Sequence, residues 1–290
     1  MKRHSLCQSI DALAVYRTAV PAWTIPRCTD SVQGDIMRPA VGSGRLPADP
    51  FPAVFPGVPM HVETLSFDKR YDRSKYIATR FARCLQGRIL DVGCDEAHLR
   101  HLLPDCDYIG IDVAGSPDLI VDLERAKRLP FADETFDAVV CSDVLEHLDH
   151  LHRVFGELVR CARKVLIVSL PNNWVNARLP IARGLGRIGF YGLPADEPQD
   201  RHKWFFNLSE ALDFFTAQTK RHPLRIVECF CNEKPRPVFI RALRRLRYRE
   251  RFSYLNRYAH TLWAVFEKTS PAALLLDRPD GPETDGGRRA

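Results

Sequence analysis

The chain has 290 residues, 45% of them apolar, which suits one α/β domain with extensions but not two large domains. No apolar run approaches the ~18 residues of a spanning helix, which argues against a transmembrane segment. A net charge of +6 is mildly basic and carries meaning only where cations cluster.

Residues 1–60 contain Pro21, Pro26, Pro39, Pro47, Pro50, Pro52, Pro56 and Pro59, and their apolar residues follow neither a helical nor a strand period. Such a segment can neither complete a ladder nor bury much surface, so a disordered leader is expected, with Met60 as the functional start. From Ser74, Tyr76, Ile77, Phe81 and Leu85 recur at helical spacing until Gly87. Residues 88–92 read as a first strand, 98–103 as a helix stopped by Pro104, 108–112 as a second strand and 119–121 as a third. Residues 136–141 form a fourth, 148–161 a helix, and 165–168 a fifth. A helix over 210–217 follows, with Asn207 and Glu210 spaced as a capping box. Strands at 224–231 and 261–267 complete the pattern. Strands apolar on both faces alternating with helices describe an α/β fold: a doubly wound, mostly parallel, seven-stranded sheet with helices on both faces. The expected domain covers 61–270, with a basic helical insert at about 234–257 and a disordered tail at 271–290.

The nine cysteines show neither a disulfide framework nor zinc-knuckle spacing; Cys229 and Cys231 lie i, i+2 on one strand face. A reduced, cytoplasmic chain is expected, and no metal site.

In a doubly wound sheet, ligands bind at the carboxyl ends of strands where the winding reverses. Asp112 closes the second strand, where a carboxylate can accept from both hydroxyls of a ribose. A nicotinamide dinucleotide would need a glycine-rich loop for its pyrophosphate; here only Gly93 remains, and Asp95 would face the phosphates. A cofactor with a sulfonium and an ammonium tolerates carboxylates better, and Asp91 or Asp95 can face the ammonium. The alternative for Asp91 is a helix-cap or loop-bracing role.

Ile89-Leu90-Asp91-Val92-Gly93-Cys94 resembles the first motif of class I S-adenosylmethionine-dependent methyltransferases. Leu129-Pro130-Phe131-Ala132-Asp133-Glu134-Thr135-Phe136-Asp137, followed by Asp143-Val144-Leu145-Glu146-His147, is similar to the methyltransferase type 11 group, close to the ubiquinone-biosynthesis methyltransferases. Block order and spacing match from Gly87 to Pro171. The resemblance implies a Rossmann-like methyltransferase fold with S-adenosyl-L-methionine as cofactor. It implies that Gly93, with Cys94 and Asp95, forms the cofactor loop and that Asp112 holds the ribose. Asp122 and Leu123 would lie beside adenine, and Ser142 would line the methionine portion. Glu146 and His147 would open a helix facing the site, for a structural hydrogen bond or for proton chemistry. The sequence departs from the family at Asp95 and Ala97, which replace two loop glycines; Ala97 resists positive φ, so binding would be weakened or lost.

Methyl transfer needs alignment of acceptor, methyl and leaving sulfur, plus a base if the acceptor carries a proton. Pro171-Asn172-Asn173-Trp174 and the segment 200–207 are the acceptor-side candidates. The His-Lys-Trp-Phe-Phe block resembles one in bacterial methyltransferases of this group, making His202 the first candidate base and His147 the second. His202 reads equally as a brace beneath Trp204 and Phe205. Between Arg236 and Arg251, Phe239, Ile240, Leu243 and Leu246 alternate with Arg241, Arg244, Arg245 and Arg247. Such a helix either packs its apolar stripe on the domain and shows arginines to solvent, or lies on an anionic membrane surface, or grips a phosphorylated acceptor such as a lipid-linked glycan. Nucleic acid is not expected, and the oligomeric state is not readable. The expected function is methyl transfer to a small-molecule, lipid or glycan acceptor, in the cytoplasm or peripherally at the inner face of the membrane. The alternative is a catalytically degenerate binding module acting through the basic helix.

Overall fold

Strands apolar on both faces must be covered on both faces, and in the computed structural model they are. Residues 60–269 are described; the leader expected to be disordered over 1–60 falls outside them except for Met60, which is buried in the first strand, and the expected disorder of 271–290 also falls outside. The elements in chain order are β1 Met60–Thr64, α1 Arg70–Arg80, β2 Arg88–Val92, α2 His98–Leu102, β3 Asp107–Asp112, β4 Leu119–Ile120, β5 Phe136–Ser142, α3 Leu151–Cys161, β6 Ala162–Pro171, α4 Asn173–Arg183, α5 Leu208–Arg221, β7 Leu224–Glu233, α6 Val238–Arg247, α7 Arg251–Tyr258 and β8 Ala259–Lys268. One eight-stranded sheet runs β1-β7-β8-β6-β5-β2-β3-β4. Only β8 is antiparallel to its neighbours, β6 and β7.

Period-two alternation sorts the central strands onto two cores. Ile89, Ala138, Val140 and Ile167 pack with Ile77, Phe81 and Leu99 from α1 and α2. Their sequence neighbours Leu90, Val139, Cys141, Leu166 and Val168 pack with Phe155, Leu158, Leu212 and Phe215 from α3 and α5. Each such aromatic or leucine contributes about 1.5–3 kcal/mol by leaving water. The chain winds from β2 to β3 and β4 on one side, then from β5 to β6 on the other, so the winding reverses between β2 and β5. These pair in register through Val92 and Cys141, and their carboxyl ends flank one crevice.

Two elements go beyond the sequence reading. The sheet has eight strands rather than seven, because β1 adds an edge parallel to β7, with Met60 opposite Cys229. Only Met60 of its five residues is buried, too weak an apolar signal beside a proline-rich leader. Helix α4 contains Pro180, which reads as a breaker; it is started by the Asn172 side chain accepting from Trp174 N and ended by left-handed Gly184. The capping box expected for α5 is present, with Glu210 N donating to Asn207 Oδ1 at 3.0 Å and Asn207 N to Glu210 Oε2 at 2.9 Å. Cys94, Cys106, Cys141, Cys161, Cys229 and Cys231 are free thiols. Among the described residues no helix is long and apolar enough to cross a membrane.

Candidate active site

The β2–α2 loop is held from three sides. Asp91 is buried and accepts the Tyr108 hydroxyl at 2.7 Å, so it braces β2 against β3. Burial pushes its carboxyl up to about 6, opposed by the Tyr108 hydrogen bond and reinforced by the Asp112 charge. Gly93 has φ +75°, and a Cβ there would lie 2.2 Å from Val144 Cγ2, so the loops after β2 and β5 touch. Cys94 turns its sulfur under the loop toward Gly110, leaving only its backbone for a ligand.

Asp95 and Ala97 stand where the family has glycines, yet both adopt the left-handed backbone, with φ +50° and +49°. The loop keeps a glycine-like path without the glycines. Its polar groups are also engaged. Asp95 N donates to Asp112 Oδ2 at 2.8 Å, Ser116 N donates to Asp95 O at 2.7 Å, and the Asp95 carboxylate pairs with Arg70 at 2.7 Å. Asp112 Oδ1 accepts two more backbone bonds, from Val113 N at 2.6 Å and Ala114 N at 3.4 Å. A carboxylate has about four acceptor positions, so one ribose hydroxyl has an open position and a second would replace the long Ala114 contact.

Ser142 ends β5 with its hydroxyl 2.9 Å from Ser169 Oγ; Ser169 in turn donates to Asp143 Oδ1 at 2.6 Å, and Arg73 donates to Asp143 Oδ2. Arg70 and Arg73 therefore bring the first turn of α1 over the ends of β2 and β5. Sequence reading missed both arginines because it began that helix at Ser74. Asp122 accepts from Glu124 N at 2.9 Å and Arg125 N at 3.2 Å, shaping the turn after β4, while Leu123 is buried. Asp91, Gly93, Asp95, Asp112 and Ser142 thus converge through direct contacts of their loops, and Asp122 and Leu123 lie beyond β4. Four carboxylates against two arginines at these strand ends suit a cationic ligand and would repel a pyrophosphate, so the donor set fits S-adenosylmethionine. Two hollows, of about 220 Å³ and 410 Å³, lie elsewhere and are lined by none of these residues.

The acceptor-side residues form a second cluster. Glu146 and His147 lie on a single 3-10 turn, Leu145–His147, and do not open the helix, which starts at Leu151 after an extended Leu148. Glu146 is 1% exposed, and its Oε2 has no hydrogen-bond partner. Burial, then the Asp143 charge, pushes its carboxyl well above the usual range. His147 Nδ1 lies 2.6 Å from Asp200 Oδ1. The His202 ring stacks on Phe190, centroids 4.4 Å apart, and meets His147 edge-on at 4.6 Å. Its Nδ1 is 3.0 Å from Asn173 Nδ2 and 3.2 Å from the Tyr191 hydroxyl. Burial, and then His147, push the His202 imidazole down to about 4, so it is neutral at pH 7. Other groups brace this loop as well: Trp204 Nε1 donates to Leu148 O at 2.7 Å and Lys203 N to Glu146 O at 2.8 Å. Phe190 and Tyr191, which shape the His202 pocket, gave no sequence signal because they lie in an irregular segment.

A family model described as a methyltransferase domain matches residues 90–165, from β2 into β6. No curated protein matches the chain. Among solved structures, the chain is similar to an S-adenosylmethionine-dependent methyltransferase from Archaeoglobus fulgidus, with 18% identity over 70% of this chain and 96% of that one, TM-score 0.45. It is similar to the N-methyltransferase NodS from Bradyrhizobium japonicum in complex with S-adenosyl-L-homocysteine, with 14% identity over 70% and 90%, TM-score 0.39. The small RNA methyltransferase HEN1 shares 17% identity over 72% of this chain, TM-score 0.47, and the chain spans 26% of its length. The match of residues 90–165 to a methyltransferase domain, with the sheet order and the converging strand ends, is consistent with a class I S-adenosylmethionine-dependent methyltransferase of the type 11 group.

Proposed function

We propose that the domain methylates a lipid or lipid-linked glycan acceptor at an anionic membrane surface, within the wider class of small-molecule, lipid and glycan acceptors. When bound, S-adenosylmethionine supplies an electrophilic methyl on a sulfonium, whose carbon–sulfur bond breaks toward sulfur as the bond to the acceptor forms. In this reading Asp112 holds the ribose diol, Asp122 and Leu123 flank the adenine, and Ser142 lines the methionine portion. The α1 arginines fix the loops and help to exclude water. Neutral His202 takes the acceptor's proton, and His147, oriented by Asp200, stands beside it.

The observation that carries the membrane reading is the orientation of α6, which favours that alternative over packing of the apolar stripe on the domain. Its arginines turn inward: Arg244 lies 4.3 Å over the Tyr258 ring, Arg245 5.6 Å over Tyr254, and Arg241 3.8 Å from Glu233. Val238, Phe239, Leu243 and Leu246 turn outward and are 65–70% exposed. Lys234, Arg236, Arg247 and Arg249, all exposed, flank this stripe. An apolar ridge with cations at its margins complements acyl chains below anionic headgroups. Helix α4 lies alongside, with Arg178 over the same Tyr258 ring and Leu179 and Ile181 exposed. It begins at Asn173, beside His202, which links the docking ridge to the acceptor residues.

The test is co-sedimentation with phosphatidylglycerol vesicles and with phosphatidylcholine vesicles. Wild type is expected to bind the anionic vesicles, and Phe239→Asp with Leu243→Asp to bind at least ~10-fold more weakly, with an unchanged melt. Wild type ignoring anionic vesicles, or the double variant binding them equally, overturns the reading.

A further inference from the structure

We propose that Arg178, Arg244 and Arg257, gathered where α4, α6 and α7 meet, bind the phosphate or pyrophosphate of a lipid-linked acceptor. That the phosphate belongs to an acceptor of this domain rests on the function proposed above; the anion site itself does not.

The composition of the three helices sets the charge. Helices α4, α6 and α7 contain neither Asp nor Glu, while each contributes arginine. Glu250, between α6 and α7, is engaged in capping α7, where it accepts from Phe252 N and Ser253 N. Arg241 meets Glu233 at 3.8 Å. Among the described residues, no carboxylate lies within ion-pair distance of Arg178, Arg244 or Arg257, whereas Arg73, Arg80, Arg100 and Arg160 each meet one.

Guanidiniums without a counter-charge ordinarily spread into water. Here aromatic rings hold them together. Arg178 and Arg244 lie 5.0 Å and 4.3 Å from the centroid of one ring, Tyr258, and Arg257 lies 4.5 Å from that of Tyr248. The two tyrosine rings are themselves 5.9 Å apart. Arg178 is fixed further by its Nε, which donates to Arg257 O at 2.9 Å. Contact with a ring engages the flat face of a guanidinium and leaves N–H groups at its edge for another partner. Those edges match the oxygens of a phosphate, which accept paired, charge-assisted hydrogen bonds.

The position joins the two parts of the proposed function. The arginines lie on the inward side of α6, opposite the exposed Phe239, Leu243 and Leu246. A lipid-linked acceptor with its chains in the bilayer beneath that ridge lifts its phosphate to the arginines and its glycan beyond them. Trp174 and Arg178 are i, i+4 on α4 and share a face, separated by a rise of about 6 Å. Trp174 is exposed and follows Asn173, whose Nδ2 lies 3.0 Å from His202 Nδ1. The sugar next to the phosphate therefore extends toward the indole and the acceptor-side histidine. Nucleic acid fits less well, because it would leave the apolar ridge in water.

The test is calorimetry on the full chain with geranyl diphosphate, and with geraniol as the probe lacking phosphate. Wild type is expected to bind the diphosphate at least ~10-fold more tightly than the alcohol, and Arg178→Gln with Arg244→Gln to lose at least ~10-fold. Each single variant should lose ~3- to 10-fold, which decides the matter if the pair does not fold. Arg236→Gln with Arg249→Gln, at the outer margin, should change affinity by less than ~3-fold. No binding of geranyl diphosphate, or equal binding by both folded single variants, overturns the site. So does a single-stranded RNA oligonucleotide that binds more tightly than geranyl diphosphate through the same arginines. Phosphatidylglycerol vesicles separate the sources of phosphate: the Gln pair, or the singles in its place, should bind them within ~3-fold of wild type. A loss on vesicles equal to that on geranyl diphosphate would assign these arginines to bilayer headgroups and overturn the acceptor site. Arginine-dependent binding of geranyl diphosphate by a wild type that ignores the vesicles keeps the phosphate site and removes the membrane reading.

Discussion

The loop after β2 and the loop before α5 both hold non-glycine residues at positive φ but differ in how their polar groups are satisfied. Between Gly93 and Ala97 the main polar groups have partners within the protein, while three residues hold positive φ, two of them not glycine. Before α5 the cap is satisfied from both sides by Asn207 and Glu210, while a buried carboxylate oxygen on the adjoining turn has no partner. The first loop stores its cost in backbone dihedrals and presents a finished surface. The second, where Phe190 also holds a positive φ of +62°, adds an unfilled electrostatic requirement. Backbone strain suits a site that must approach a ligand closely; an unmatched charge suits one completed by something that binds.

The strongest way to break the comparison is at Asp112. Asp112→Ala removes an acceptor for two ribose hydroxyls, and hydrogen bonds to a charged group contribute about 1.5–3 kcal/mol each. S-adenosylmethionine affinity should fall at least ~100-fold by calorimetry. Because Asp112 also accepts from Asp95 N, Val113 N and Ala114 N, Asp112→Asn is the companion variant. It keeps one acceptor oxygen and should lose only ~10-fold. Unchanged affinity in the Ala variant would sink the ribose assignment.

Asp91 should sharpen it through pH. Burial raises its folded pKa from 3.8 to about 6. Between about pH 4 and pH 6 the unfolded chain has released this proton and the folded chain still holds it, so stability falls as pH rises through that window. At 1.36 kcal/mol per pKa unit, the burden at pH 7 approaches about 3 kcal/mol. Asp91→Asn can still accept from Tyr108, so it should raise the melting temperature at pH 7, with the gain disappearing near pH 4. A gain independent of pH would show that Asp91 is not the titrating group.

How much of this was legible in the sequence follows from chain distance. The β2 loop, Asp112 and Ser142 could be read because each ends an apolar strand, and strand ends in a wound sheet converge by topology. The left-handed φ of Asp95 and Ala97 could not, because local propensity opposes it; it is imposed by the Asp95 N to Asp112 bond and by Gly115 packed against the Asp95 carbonyl. Glu146, His147 and His202 were each noticed, but residues 146 and 202 meet only through an irregular segment with no period to follow. The α6 stripe was seen at the right spacing, with packing on the domain and lying on a membrane surface left as alternatives. Periodicity shows that a helix has two faces; the Tyr254 and Tyr258 rings decide which one turns inward.

In the loop before α5, Asn207→Ala should cost about 1 kcal/mol in a denaturant melt, the usual value of an N-cap, because the Glu210 amide loses its acceptor. Cofactor affinity should not change, since the cap lies in the acceptor-side loop. A loss of affinity there would mean that the two loops are coupled through Glu146.

The smallest expected effect is at Ala97, and it tests whether the strain is real. A non-glycine residue in the left-handed region costs about 1–2 kcal/mol, and glycine gives back about 0.5–1 kcal/mol of that through its greater freedom when unfolded. The Ala97 methyl is also buried, which narrows the gain further. Ala97→Gly should therefore stabilise by about 0.5 kcal/mol and leave cofactor affinity unchanged, since the loop already follows the path glycine would allow. A rise in affinity without a rise in stability would instead show that the alanine holds the loop away from its binding geometry. The two loops would then differ less than their hydrogen bonds suggest, because both would be waiting for a ligand to complete them.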